Sequence, residues 1–179
     1  MLGGMVAALL LLVGYGTAFS QGTLQFATLG ASSGTGEVLQ HNGITPADTT
    51  FSALLLGSTT GLAGSFAAIS PTETFLAGAP GYIFYAPTLT PGPAASTPYY
   101  YEIEVWTASA GSYAAAQTIN LDQYGTTAVE SLVLGGTKDT PPNTWGFPNL
   151  TLNSVPEPTS LALMGLGGLS LLLFRRKNS

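Results

Sequence analysis

Residues 99–109 read YYYEIEVWTAS, and the spacing within them decides the fold class. Tyr101, Ile103 and Val105 fall on one side of an extended chain. Tyr100, Glu102, Glu104 and Trp106 fall on the other. Strict alternation over a β-branched and aromatic run predicts a strand with one face in a core and a polar-leaning outer face. Weaker patterns of the same kind lie at residues 23–28, 51–56, 65–69, 74–76, 81–85, 129–134 and 149–152. Gly57-Ser58, Pro91-Gly92-Pro93, Gly135-Gly136 and Pro141-Pro142-Asn143 punctuate them as turns. One Ala-rich stretch, residues 112–118, suits a single short helix. Many short strands with frequent turns and no internal repeat predict an all-β domain, a single antiparallel β-sandwich of jelly-roll or Ig-like type.

Composition bounds what such a domain can do. The chain has 179 residues, a length that suggests one domain with appendages. Only 7% of them are charged, against about 25% in an ordinary soluble domain. Cysteine is absent, so neither disulfides nor thiolate metal sites contribute. Between residues 21 and 154, one lysine (Lys138) stands against eight acids, a formal charge of −7. A nucleic-acid interface needs clustered Lys and Arg to displace counterions, and that function class is excluded.

The two ends read as export and anchoring signals. Residues 1–20 hold an apolar stretch followed by small residues, with Ala18 and Ser20 two apart before Gln21. This is the layout of a signal peptide, although no Lys or Arg precedes the apolar run. At the other end, Val155, Pro156, Glu157 and Pro158 form a motif that no helix interior accommodates. Residues 159–174 are uncharged and mostly apolar. As a helix they would extend about 24 Å, slightly short of a hydrocarbon core of about 30 Å. Arg175, Arg176 and Lys177 close the run within a basic tail, residues 175–179. By the positive-inside tendency these bases stay cytoplasmic, which leaves residues 21–154 outside as an ectodomain.

That order of motif, short span and basic stop over residues 155–179 resembles the PEP-CTERM sorting signal of exported Gram-negative proteins. The resemblance implies recognition and C-terminal processing by an exosortase, a multi-spanning membrane enzyme, and transient residence in the inner membrane before release to the cell surface or extracellular matrix. No Leu-Pro-x-Thr-Gly is present, and Gly167-Gly168 lies inside the span rather than before it. The segments GTLQFAT, FSALLLG, EIEVWTASAGSYAAAQ and PPNTWGFPNLTL resemble more loosely a set of uncharacterised exported proteins of verrucomicrobial and planctomycete type. That resemblance implies export and supplies no reaction.

Catalytic residue types are scarce. His41 is the only histidine, and its setting, LQHNGIT, reads as a solvated turn rather than part of a nucleophilic triad. One His and no Cys leave no zinc set, and no calcium-loop motif occurs. Glu102 and Glu104 stand about 6.6–6.8 Å apart along one strand face, a spacing that suits paired glycosidase carboxylates but also arises by default on a solvated face. Tyr100, Trp106 and Trp145 are the candidate ligand contacts, because aromatics beside acids stack on sugar rings. Large aromatics are also the main source of core burial, and most of Tyr99, Tyr100, Tyr101, Trp106, Trp145 and Phe147 are expected to fill the core. The expected role is a non-catalytic exported surface or matrix protein without cofactor or metal. The alternative is a module that binds extracellular polysaccharide.

Overall fold

The computed structural model describes residues 21–29, 36–119, 121–136, 138–144 and 146–155. The segment expected to be a signal peptide (residues 1–20), Trp145, Pro156, Glu157, Pro158, the apolar run (159–174) and the basic tail with Arg175, Arg176 and Lys177 lie outside the described residues.

The described chain is all-β with one short helix. In chain order it forms β1 (Leu24–Ala27), β2 (Val38–Leu39), β3 (Phe51–Ser58), β4 (Ala67–Ala68), β5 (Glu73–Thr74), β6 (Phe84–Leu89) and β7 (Pro98–Thr107). A 3₁₀ turn (Ala108–Ala110) and α1 (Tyr113–Ala116) follow, then β8 (Gln123–Thr126), β9 (Glu130–Val133), β10 (Leu150–Thr151) and β11 (Asn153–Ser154).

The alternating segment is the spine. β7 pairs antiparallel with β3 from Phe51 opposite Thr107 to Ser58 opposite Tyr100. Its other edge carries β9 beside Pro98–Tyr101 and β8 beside Glu104–Trp106. With β4 and β5 on β3, and β11 on β8, this makes a seven-stranded sheet. Cross-strand neighbours share a face, so Ala53 with Val105 and Leu55 with Ile103 point inward and are fully buried. Gly57 stands opposite Tyr101 on that face because the ring of Tyr99 fills the space beside it. A Cβ at position 57 would lie 2.6 Å from Tyr99 Cε1.

Two short ribbons and the loops between them cover the inner face. β1 pairs antiparallel with β6, and β2 pairs parallel with β10. The parallel β2–β10 pair departs from the wholly antiparallel expectation. It arises because the C-terminal segment returns alongside β2 in the same direction. Leu24, Phe26, Val38, Phe75, Phe147 and Leu152 bring the cover into one cluster with the sheet. Pro87 falls inside β6, where the register against β1 shifts between Gln25 and Ala27. An edge position at a bulge tolerates a residue that cannot donate to the ladder.

The short helix is placed by its cap. Ser112 Oγ accepts a hydrogen bond from the Ala115 backbone N–H at 3.2 Å, and Gly111 takes the left-handed φ of 78° that ends the preceding 3₁₀ turn. α1 then folds back over β7 and β8, with the Tyr113 and Tyr124 rings edge to face at 6.0 Å.

Candidate functional site

The return of α1 builds a cleft on the outward face of the sheet. On that face β7 presents Tyr100, Glu102, Glu104 and Trp106, and β3 sets Ser58, Leu56, Leu54 and Ser52 opposite them. The segment from Gly111 to Ala114 closes over one end. The result is an open cleft of about 320 Å³ bounded by Leu54, Thr72, Glu104, Trp106, Ser112 and Tyr113 among others. Trp106 is only 3% exposed, so it forms the floor of the cleft rather than an upright stacking plate.

Charge in the cleft is negative and partly desolvated. Burial pushes the Glu104 carboxyl above its ordinary range, and the charge of Glu102 two residues away adds to the effect. Burial does the same to Glu102. Burial likewise raises the Tyr113 phenol, with the nearby Glu104 and Glu102 charges acting in the same direction. A raised carboxyl binds its proton more tightly in the folded state than in the unfolded one. The stability this gives is present at low pH and is lost as pH rises through the folded values. Asp48 runs the other way. The Thr50 hydroxyl donates to its carboxylate at 2.6 Å and lowers its pKa, so its contribution is lost only in stronger acid. The thermal midpoint is therefore expected to rise on going from neutral to about pH 5. Glu104→Gln should flatten that rise in a melting series. A midpoint that falls over the same range would contradict it.

The structure separates the sequence-predicted contacts. Trp106 and Glu104 share the cleft, but Tyr100 lies six residues along β7, about 20 Å away at 3.3–3.4 Å per residue. One face of the Tyr100 ring lies against Gly61, where a Cβ would meet it at 2.9 Å. Tyr113, Ser112 and Thr72 belong to the cleft; the first two carried no signal beyond the Ala-rich helix pattern, and Thr72 carried none. His41 lies in an exposed turn, where its backbone N–H donates to Gln123 Oε1 at 2.8 Å. Among the described residues no group of three His, Cys, Asp or Glu stands close enough to hold a metal ion. No helix of the described residues is long and apolar enough to cross a membrane.

The last described strand lies at an edge of the sheet. Asn153 and Ser154 pair with Tyr124 and Gln123. The Val155 N–H donates to the Asp122 carbonyl at 3.1 Å, and the Leu121 N–H donates to the Val155 carbonyl at 3.3 Å. Val155 is thus held at the sheet edge, directly before Pro156. No curated protein and no solved structure matches the chain. Residues 154–177 match the model of the PEP-CTERM protein-sorting motif. The chain carries a PEP-CTERM protein-sorting motif, which indicates an exported protein sorted by an exosortase, and the match starts inside the last described strand.

Proposed function

We propose that the protein is a non-catalytic component of the cell surface or extracellular matrix. Its body would be a β-sandwich ectodomain formed by the seven-stranded sheet and its cover. The signal peptide exports it, and residues 159–174 hold it in the inner membrane with the C-terminus cytoplasmic. Exosortase processing then releases it. The sorting motif at residues 154–177 carries this reading. Support comes also from His41, the only histidine of the sequence, which lies in an exposed turn. An epitope placed in the exposed loop at Leu62 should be reached by protease added outside the cytoplasmic membrane. An epitope recovered in the cytosol would end the reading.

The cleft favours a second reading, a carbohydrate-binding module for surface or environmental polysaccharide. An apolar floor, a hydroxyl-bearing rim and an acceptor carboxylate form the kind of site that holds a sugar ring and its hydroxyls. Trp106→Ala is a poor probe, because removing so buried a side chain costs about 3–5 kcal/mol and perturbs the fold. Tyr113→Ala and Glu104→Gln alter half-buried positions instead. Both should abolish binding on a glycan array while the melting curve stays cooperative. An array on which the unmodified protein binds nothing returns the domain to a purely structural role.

A further inference from the structure

We propose that the pole of the domain from which the tail leaves is a lipid-contacting surface, seated in the headgroup layer through Ile44, Ile119 and Leu121. This rests on the reading of residues 159–174 as a membrane span. The argument begins with the tether. Val155 is fixed to the sheet by its hydrogen bonds to Leu121 and Asp122. Only residues 156–158 separate it from the apolar run. The four Cα–Cα steps from Val155 to Thr159 cover at most about 14 Å when fully extended. The headgroup layer on one side of a bilayer is itself about 5–8 Å thick. So short a tether keeps the pole around Val155 within about 10 Å of the headgroup surface, close enough for exposed apolar side chains to seat in it.

That pole presents apolar side chains. Leu121, whose backbone N–H holds Val155, is 67% exposed, and Ile119 is 43% exposed. Leu121 also takes a left-handed φ of 68°, a conformation disfavoured for any residue with a Cβ. Ile44 is 81% exposed and reaches the same pole by a separate route. β2 runs parallel to β10, so the turn that follows β2 travels in the direction of β11 and Val155. The bond from the His41 N–H to Gln123, whose partner across the ladder is Ser154, places the turn at that level. The Asn42 side chain shapes its tip by accepting from the Ile44 and Thr45 N–H groups at 3.0 and 2.9 Å. Water is a poor environment for three such side chains around a short membrane tether. The apolar boundary of a bilayer is a favourable one.

Because the chain has no cysteine, single labels test the placement cleanly. The full chain carrying Leu121→Cys, Ile44→Cys, Leu62→Cys or Leu171→Cys is labelled with a polarity-sensitive dye and reconstituted in phosphatidylcholine vesicles. Leu62 lies in the loop beside Tyr100, at the far end of β7, and serves as the remote site. Labels at 121 and 44 should shift to the blue and lose emission to nitroxides on the lipid headgroups, while the label at 62 does neither. The label at 171 should be quenched by nitroxides on the acyl chains. Ile44→Cys supplies an independent reading if Leu121→Cys disturbs the contact with Val155. Labels at 121 and 44 that behave like the one at 62, with 171 inserted, overturn this inference and leave the sorting reading intact. Shielding that appears only when an exosortase is added assigns the pole to the enzyme and overturns lipid contact. A label at 171 that stays in water overturns both.

Discussion

Ile103→Ala is expected to destabilise the domain by about 2–5 kcal/mol, enough to remove a large part of the 5–15 kcal/mol that a domain of this size ordinarily has. Ile103 is fully buried at the centre of β7, opposite Leu55, in the cluster that joins the sheet to its cover. Its backbone is fixed on the other edge as well. The Ile103 N–H donates to Thr127 Oγ1 at 3.0 Å, and the Thr127 N–H donates to the Ile103 carbonyl at 3.1 Å. A backbone held from both sides cannot move to close the void, so both the transfer cost and the cavity cost are felt. The chain has no cysteine, and hence no disulfide to constrain the unfolded state and soften the loss. Urea unfolding checks this. The midpoint should fall with the slope unchanged, and a midpoint within error of the parent would show that the core does not depend on this face of β7.

The same face explains how far the sequence could be read. β7 was legible because a long strand with one buried face imposes alternation on its residues, and β3 was legible as a short, mostly apolar run. β2, β8 and β11 were not, and the reason is physical. Val38–Leu39 and Asn153–Ser154 are two residues each, and Gln123–Thr126 is polar with Gly125 within it. Their extended state comes from a partner strand and from close packing, such as Leu152 Cδ2 at 3.0 Å from where a Gly125 Cβ would be. No period of their own signals them. The cleft was half legible. Alternation put Trp106 beside Glu104 on the outward face, where the structure places both. It could not show that the chain would return over Trp106 and bury it. The hint lay in the shortness of the link, since Ser112 caps α1 only six residues after Trp106 and the helix had to land nearby. The jelly-roll or Ig-like choice depended on the cover of the inner face, made of loops, the two-residue β2–β10 pair and the short β1–β6 ribbon, where alternation has little length over which to appear.

Glu157→Ala should leave the tail uncut in a host with an exosortase, with the intact C-terminus at Ser179 visible by mass spectrometry. Glu157 is the only charged residue between Asp139 and Arg175, so a membrane enzyme meets one carboxylate in an otherwise neutral stretch. The prolines on either side cannot donate hydrogen bonds, and each disfavours a helical conformation in the residue before it. The residues fixed in the sheet sharpen the choice of variant. Val155 is the last described residue, and both its backbone groups are bonded to the domain. Deleting residues 155–158 would remove those two bonds, at about 1 kcal/mol each, and would mix a folding defect with a recognition defect. Glu157→Ala leaves them in place and should change stability by no more than about 0.5 kcal/mol. Glu157→Gln then separates charge from shape. If the enzyme reads the carboxylate, Gln should block processing as fully as Ala. If it reads an extended segment of a given length, Gln should be cut like the parent. Trimming of Glu157→Ala at the same bond as the parent would show that neither the charge nor the length of this side chain is read. Recognition would then have to lie in the apolar run or in Arg175, Arg176 and Lys177.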